Sequence, residues 1–258
     1  IMTEEDVKTL EGILNKETAD GVYNFFFDGA GGWKAGAWYY AAGLNVFGPA
    51  GDDLAAGCDW NSAKGVAVTK YLMDMAANEK VAFENGIAVA ELIAEHKLGA
   101  WFDGEWNYNL YKEALGDDLG LAVLPTINVD GTDCQLLSFY GSKCIGVNAH
   151  SKHPAAANAF AAFLGSEEQQ VLRFEKSAQA PTNLKAGENP AVLADEKLAT
   201  LVAQSNTATV AQPTASIFSS RYWSNVGALL TEIKTGNVTN DNVQAQLDKF
   251  VETMTMPE

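Results

Sequence analysis

The sequence predicts an α/β fold. Short apolar stretches that stop abruptly at Gly, Asp or Pro read as strands. Longer stretches between them, with apolar residues at helical spacing, read as helices, and the two kinds alternate along the chain. The 258 residues, 47% hydrophobic and 19% charged, suffice for a sizeable core in one large or two smaller domains.

Taken in order, Thr3 to Asn15 reads as an amphipathic helix with Val7, Leu10, Ile13 and Leu14 on one side. Thr3 with Asp6 three residues on makes a capping-box-like start. Gly21 to Asp28 is strand-like and ends in a carboxylate. The loop Gly29–Gly32 lacks both a phosphate-loop lysine and a dinucleotide fingerprint. Trp33 to Leu44 reads as a helix crowded with aromatics. A Gly/Asp-rich loop follows over Gly48–Asp59, and Trp60-Asn61-Ser62 caps a helix running to about Asn78. Gly86–Glu95 is a short helix, Ala100–Phe102 a strand and Asn109–Leu115 a helix. Strands are expected over Leu119–Leu124, ending at Pro125, and over Lys143–Val147. Helices are expected over Pro154–Phe163, Ser166–Glu175 and Pro190–Ala203. Pro213–Trp223 runs into a helix that stops at Gly236, a C-terminal capping glycine, and the last helix spans about Thr239–Met254.

The net charge is −16, and Arg173 and Arg221 are the only arginines. That argues against nucleic acid and against an anionic membrane surface, both of which need a basic face. A neutral ligand fits. Cys58, Cys134 and Cys144 allow one disulfide at most, Cys134 with Cys144 the favoured pair, and form no metal spacing. His150 and His153 sit in a loop without accompanying ligands, so no metal is expected. No apolar run reaches 18 residues, and the abrupt start Ile1-Met2-Thr3 reads as an internal piece of a longer gene product.

The stretch Gly99–Leu110, GAWFDGEWNYNL, stands out. A short strand turns at Asp103-Gly104 and presents Trp106 and Tyr108 beside Glu105 and Asn107. Flat aromatics beside a carboxylate suit ligand binding as well as packing. The competing expectation is that these aromatics are core residues.

Four stretches carry a resemblance. Ala100–Trp106 is similar to an apolar strand followed by Asn/Asp-Gly-x-Trp. Ala122-Val123-Leu124-Pro125-Thr126 is similar to a Leu-Pro-Thr strand end. Gly146–Pro154 followed by Phe163, and Trp223 with Gly236 thirteen residues on, complete the set. Together they resemble the extracellular solute-binding proteins of carbohydrate ABC importers, specifically the maltose/maltodextrin-binding group. The resemblance implies a periplasmic-binding-protein-like (type II) bilobal architecture, mainly the second lobe plus part of the first. On that reading, 1–118 is the first piece of the second lobe, 119–208 belongs to the first lobe, and 209–258 supplies the final helices of the second. Members are substantially longer, so this chain lacks a counterpart of the first part of the first lobe.

The resemblance further implies a monomer that binds maltooligosaccharide outside the cell, as a periplasmic or lipid-anchored surface protein, and delivers it to a membrane permease without catalysis or cofactor. Leu119–Pro125 and the stretch near Val210–Pro213 resemble the crossings about which the two lobes close. Trp106 and Trp223 match the family's second-lobe stacking tryptophans, and the Phe26–Tyr40 region matches a loop giving a carboxylate and aromatics. The chemistry agrees: a glucose ring offers apolar faces to aromatics and a rim of hydroxyls to carboxylates, amides and guanidinium groups. The candidate ligand residues are Trp106, Trp223, Arg221, Glu105, Asp28, Trp33, Trp38, Tyr39 and Tyr108. Trp60 and Trp101 read as structural. Two rivals use the same aromatics: a starch-adhesion module of a surface assembly, and a glycoside hydrolase with Asp28 and Glu105 as its carboxylate pair.

Overall fold

The computed structural model of the protein describes residues 2–256. Its first half is built around a three-stranded parallel sheet. In chain order it runs α1 (Leu10–Leu14), β1 (Tyr23–Asp28), α2 (Gly32–Ala41), α3 (Ala63–Ala77), β2 (Val81–Glu84), α4 (Ala88–Ala94), β3 (Leu98–Trp101) and α5 (Tyr108–Leu115). The strand order is β2-β1-β3. Central β1 is buried on both faces, which is why Phe25-Phe26-Phe27 is a continuous apolar run rather than an alternating one. Phe25 and Phe27 enter the main core. Phe26 faces a smaller core with Ala82, Val89, Ile93 and Tyr111.

The expected N-terminal helix is split. Thr3 and Asp6 do cap each other, with Thr3 N–H donating to Asp6 Oδ2 at 2.7 Å and Asp6 N–H to Thr3 Oγ1 at 3.2 Å. That opens only a 3₁₀ turn, Asp6–Lys8. Thr9 is extended, bridges to Thr126, and restarts the chain as the N-cap of α1.

The second half continues with β4 (Thr126–Val129), β5 (Thr132–Gln135), β6 (Ser138–Tyr140), α6 (Pro154–Leu164), α7 (Glu167–Ser177), α8 (Leu184–Gly187), α9 (Pro190–Leu193), α10 (Glu196–Thr207), β7 (Thr209–Ala211), α11 (Phe218–Lys234) and α12 (Val243–Thr255). β4 and β5 form an antiparallel hairpin, and β6 pairs in parallel with β7. Two expected strands are corrected. Leu119–Leu124 is irregular and pairing starts after Pro125; Lys143–Val147 has no strand alongside it among the described residues. Pro190–Ala203 is two helices, because Asp195 caps a fresh start by accepting from Leu198 N–H at 2.9 Å.

The segment 119–208 divides in its packing. Ile127, Val129, Leu136 and Phe139 join the main core, whereas Phe174, Val192 and Leu198 form a small cluster of their own. The main core centres on Trp60, fully buried and stacked between Tyr39 (centroids 3.7 Å apart) and Phe250 (5.2 Å). Helix α11 comes close to α2 at Gly36, where a Cβ would collide with the Tyr222 hydroxyl. That hydroxyl donates to Gly32 O at 3.1 Å. All three cysteines are free. No helix is long and apolar enough to cross a membrane among the described residues.

Candidate functional site

The C-terminal ends of β1 and β3 lie side by side, in the register Phe26 opposite Trp101. Each strand feeds a loop that delivers a tryptophan. After β1, residues 29–31 lead into α2, whose first turn carries Trp33. After β3, Asp103-Gly104 leads into a 3₁₀ turn, Glu105–Asn107, which carries Trp106. The indoles meet edge to face with centroids 5.1 Å apart, and Phe102 lies 5.4 Å from Trp33. Trp106 is 58% exposed, unusual for so large an apolar ring. Gly104 permits this geometry, since a Cβ there would run into the Trp106 ring.

These side chains wall a groove of about 2000 Å³. Trp33, Phe102, Glu105, Trp106 and Tyr108 line one side. Lys197, Leu201 and Gln204 of α10 line it too, along with Phe139 and Tyr140. A second depression of about 620 Å³, lined by Glu167, Glu168, Glu175 and Leu172, has no flat aromatic wall.

Polar groups surround the aromatics. Asp103 Oδ2 accepts from Asn107 Nδ2 at 2.9 Å and from the Tyr111 hydroxyl, and Oδ1 accepts from Gly104 N–H at 2.8 Å. Burial works against the Asp103 charge, but these donors, with Lys34 close by, hold the carboxyl below the usual carboxylate range. Burial, helped by the Asp103 charge, pushes the Tyr111 hydroxyl up. Glu105 Oε2 is buried without a hydrogen-bond partner among the described residues. Lys197 Nζ lies 3.7 Å from it, sits 5.6 Å from the Tyr108 ring centroid and donates to Ala178 O. The arrangement offers flat apolar faces, an unsatisfied carboxylate oxygen and a buried ammonium around one groove.

The candidates from sequence separate accordingly. Trp33, Glu105, Trp106 and Tyr108 converge on the groove. Trp38 and Tyr39 are corrected: both are fully buried, because α2 is enclosed by β1, α3 and α11, and neither has a face to offer a ligand. The Tyr39 hydroxyl is hydrogen-bonded to Thr69 Oγ1 at 2.9 Å. Arg221 is corrected too. It reaches the end of α12, with Nη1 donating to Met254 O at 3.2 Å and to Met256 O, so it caps a helix. Asp28 does not line the groove and accepts from Ala30 and Gly86 N–H, both at 3.2 Å. Trp223 is half-buried against Gly32, with Phe218 and Tyr222 around it, and does not line the groove; the ring packed on Trp106 is Trp33. Sequence reasoning missed Lys197, which looks like any charged residue of an amphipathic helix. It passed over Lys34 and Asp103, although both lie within the stretches it singled out.

Comparison with known proteins places the chain in a family. The family model described as bacterial extracellular solute-binding protein matches residues 1–200. A galactooligosaccharide-binding protein of Bacillus subtilis (strain 168) is 30% identical over 195 residues, covering 74% of this chain and 44% of that protein. A solved structure with acarbose superposes with a TM-score of 0.90 at 38% identity, covering 99% of this chain and 66% of its own. The maltodextrin binding protein MalE1 from L. casei BL23, without ligand, gives a TM-score of 0.87 at 25% identity, covering 99% of this chain and 67% of its own. The chain thus spans less than half the length of the curated relative and about two thirds of the solved ones.

Proposed function

Because the chain belongs to the bacterial extracellular solute-binding proteins, we propose that it binds a neutral oligosaccharide of the maltodextrin class and hands it, chemically unchanged, to the permease of an ABC importer. The observation that carries this reading is Trp106, held with most of its ring exposed at the wall of the groove and braced edge-on by Trp33. An exposed indole held in place is a stacking platform for the apolar face of a sugar ring. The partly exposed Glu105 carboxylate on the groove wall is the acceptor for a hydroxyl of that ring. Lys197, its ammonium 3.7 Å from Glu105 Oε2, donates to a second hydroxyl.

Asp28 speaks against a glycoside hydrolase. A hydrolytic pair must flank the scissile bond, and Asp28 does not line the groove and is engaged by two backbone N–H groups. The curated relative names a galactooligosaccharide, so the class of glycan is the point to test. The test is calorimetric titration with maltose, maltotriose, longer maltodextrins, cellotriose, xylotriose and a galactooligosaccharide. Preference for the α-glucans supports the reading. Binding of the galactooligosaccharide alone, or release of reducing sugar, overturns it. The permease partner, the site of action outside the cell and closure of two lobes about the stretches near Pro125 and Pro213 belong to the same proposal. Small-angle scattering with and without maltotriose tests closure: an unchanged radius of gyration in the full-length protein contradicts it.

A further inference from the structure

Resting on the reading of the groove as a saccharide site, we infer that Lys34 is a positioning residue: it ties together the two loops that carry Trp33 and Trp106 and so sets the geometry of the stacking face. The two parallel strands β1 and β3 each end near a carboxylate, Asp28 on β1 and Asp103 just past β3. Left alone, two largely buried like charges at neighbouring strand ends would push the loops apart. Lys34, one residue after Trp33 on α2, places its Nζ 3.8 Å from Asp28 Oδ2 and 3.4 Å from Asp103 Oδ1. The three side chains are only 12%, 15% and 8% exposed, so solvent screens this triad weakly.

Each carboxylate is otherwise bound within its own surroundings. Asp28 holds Ala30 and Gly86, and the close passage of Gly31 past its carboxylate leaves no room for a side chain. Asp103 holds Gly104, Asn107 and Tyr111. Among the described residues Lys34 is the only cation within ion-pair distance of either, and it bridges both. It is absent from the groove wall, whereas Asp103 and the tryptophans are on it. Lys34 therefore acts through the loops and does not contact the sugar.

The test compares Lys34→Met, Lys34→Arg and the double variant Lys34→Met/Asp28→Asn in the full chain. Two readouts are taken: maltotriose titration, and the coupled indole signal in circular dichroism, assigned by its loss in Trp33→Phe. Lys34→Met is expected to weaken maltotriose binding about 10- to 100-fold, as losing the support behind a ligand-contacting group does elsewhere, and to lose the coupled signal. Lys34→Arg keeps a cation between the carboxylates and is expected to restore both. The double variant removes the repulsion yet leaves the loops unlinked, so it still loses both and carries the test if Lys34→Met does not fold. Wild-type affinity with an intact signal in the methionine variants overturns the inference. Lost affinity with an intact signal overturns it as well, since Lys34 would then touch the ligand directly. If the unsubstituted chain binds no maltotriose, the saccharide reading fails. The circular dichroism signal then still decides whether Lys34 sets the indole geometry.

Discussion

Replacing Trp106 by Ala separates a ligand platform from a core residue, and Trp60 is the reference. Trp106 is 58% exposed, so about two fifths of its surface is buried. For a side chain burying up to about 250 Å² when fully enclosed, that is roughly 100 Å², or about 2.5 kcal/mol at 25 cal/mol/Å². The figure is an upper bound, since the unfolded chain already covers part of that surface. Trp60 is fully enclosed and touches Tyr39, Tyr40, Tyr222 and Phe250, so Trp60→Ala should cost at least about 3–5 kcal/mol. Binding should divide the other way. A lost stacking face is worth about 1–3 kcal/mol by analogy with aromatic stacking on flat ligands, or roughly 5- to 150-fold in affinity. The assay is urea unfolding followed by circular dichroism, beside calorimetric titration of the folded variants. Trp106→Ala unfolding as easily as Trp60→Ala while binding maltotriose normally would refute the reasoning.

Three further outcomes follow from the polar groups. Glu105→Gln should weaken oligosaccharide binding by about 10-fold or more, the scale of a charge-assisted hydrogen bond, with Lys197→Met weakening it too; titration of both variants checks this. The Asp103 carboxyl is held below the usual range in the folded protein, so the unfolded state takes up its proton first as pH falls. The stability it contributes is complete above the ordinary carboxylate pKa and is lost as pH drops toward the lowered value. Urea unfolding across pH 6 to about 3 should show Asp103→Asn with a shallower acid loss than the parent, and parallel curves would contradict the assignment. Binding should persist in EDTA, and its complete loss there would show that a metal takes part.

Much of the fold was readable because periodicity and punctuation are local. The apolar run of β1, the Ser62 cap of α3 and the Gly236 stop of α11 each rest on residues within one or two turns. The errors arose where partners decide. Leu119–Leu124 and Lys143–Val147 have strand composition, but a strand requires another alongside it, and composition carries no information on that. β2 went unread because four residues, Val81–Glu84, leave too short a pattern. In the site, the Asp103–Trp106 turn was legible, since Gly beside an aromatic and a carboxylate is a conspicuous local pattern. Trp38 and Tyr39 have the same composition as Trp33 but lie on the enclosed part of α2, which only tertiary packing reveals. Lys197 reaches Glu105 from 92 positions along the chain, and no short pattern encodes that meeting.

The most direct test of the account is the crystal structure of the protein grown with maltotriose. A glucose ring stacked on the exposed face of Trp106, with Glu105 about 2.6–3.2 Å from one of its hydroxyls and the glycosidic bonds intact, is the predicted result. A sugar bound away from Trp106, or cleaved within the groove, would contradict it.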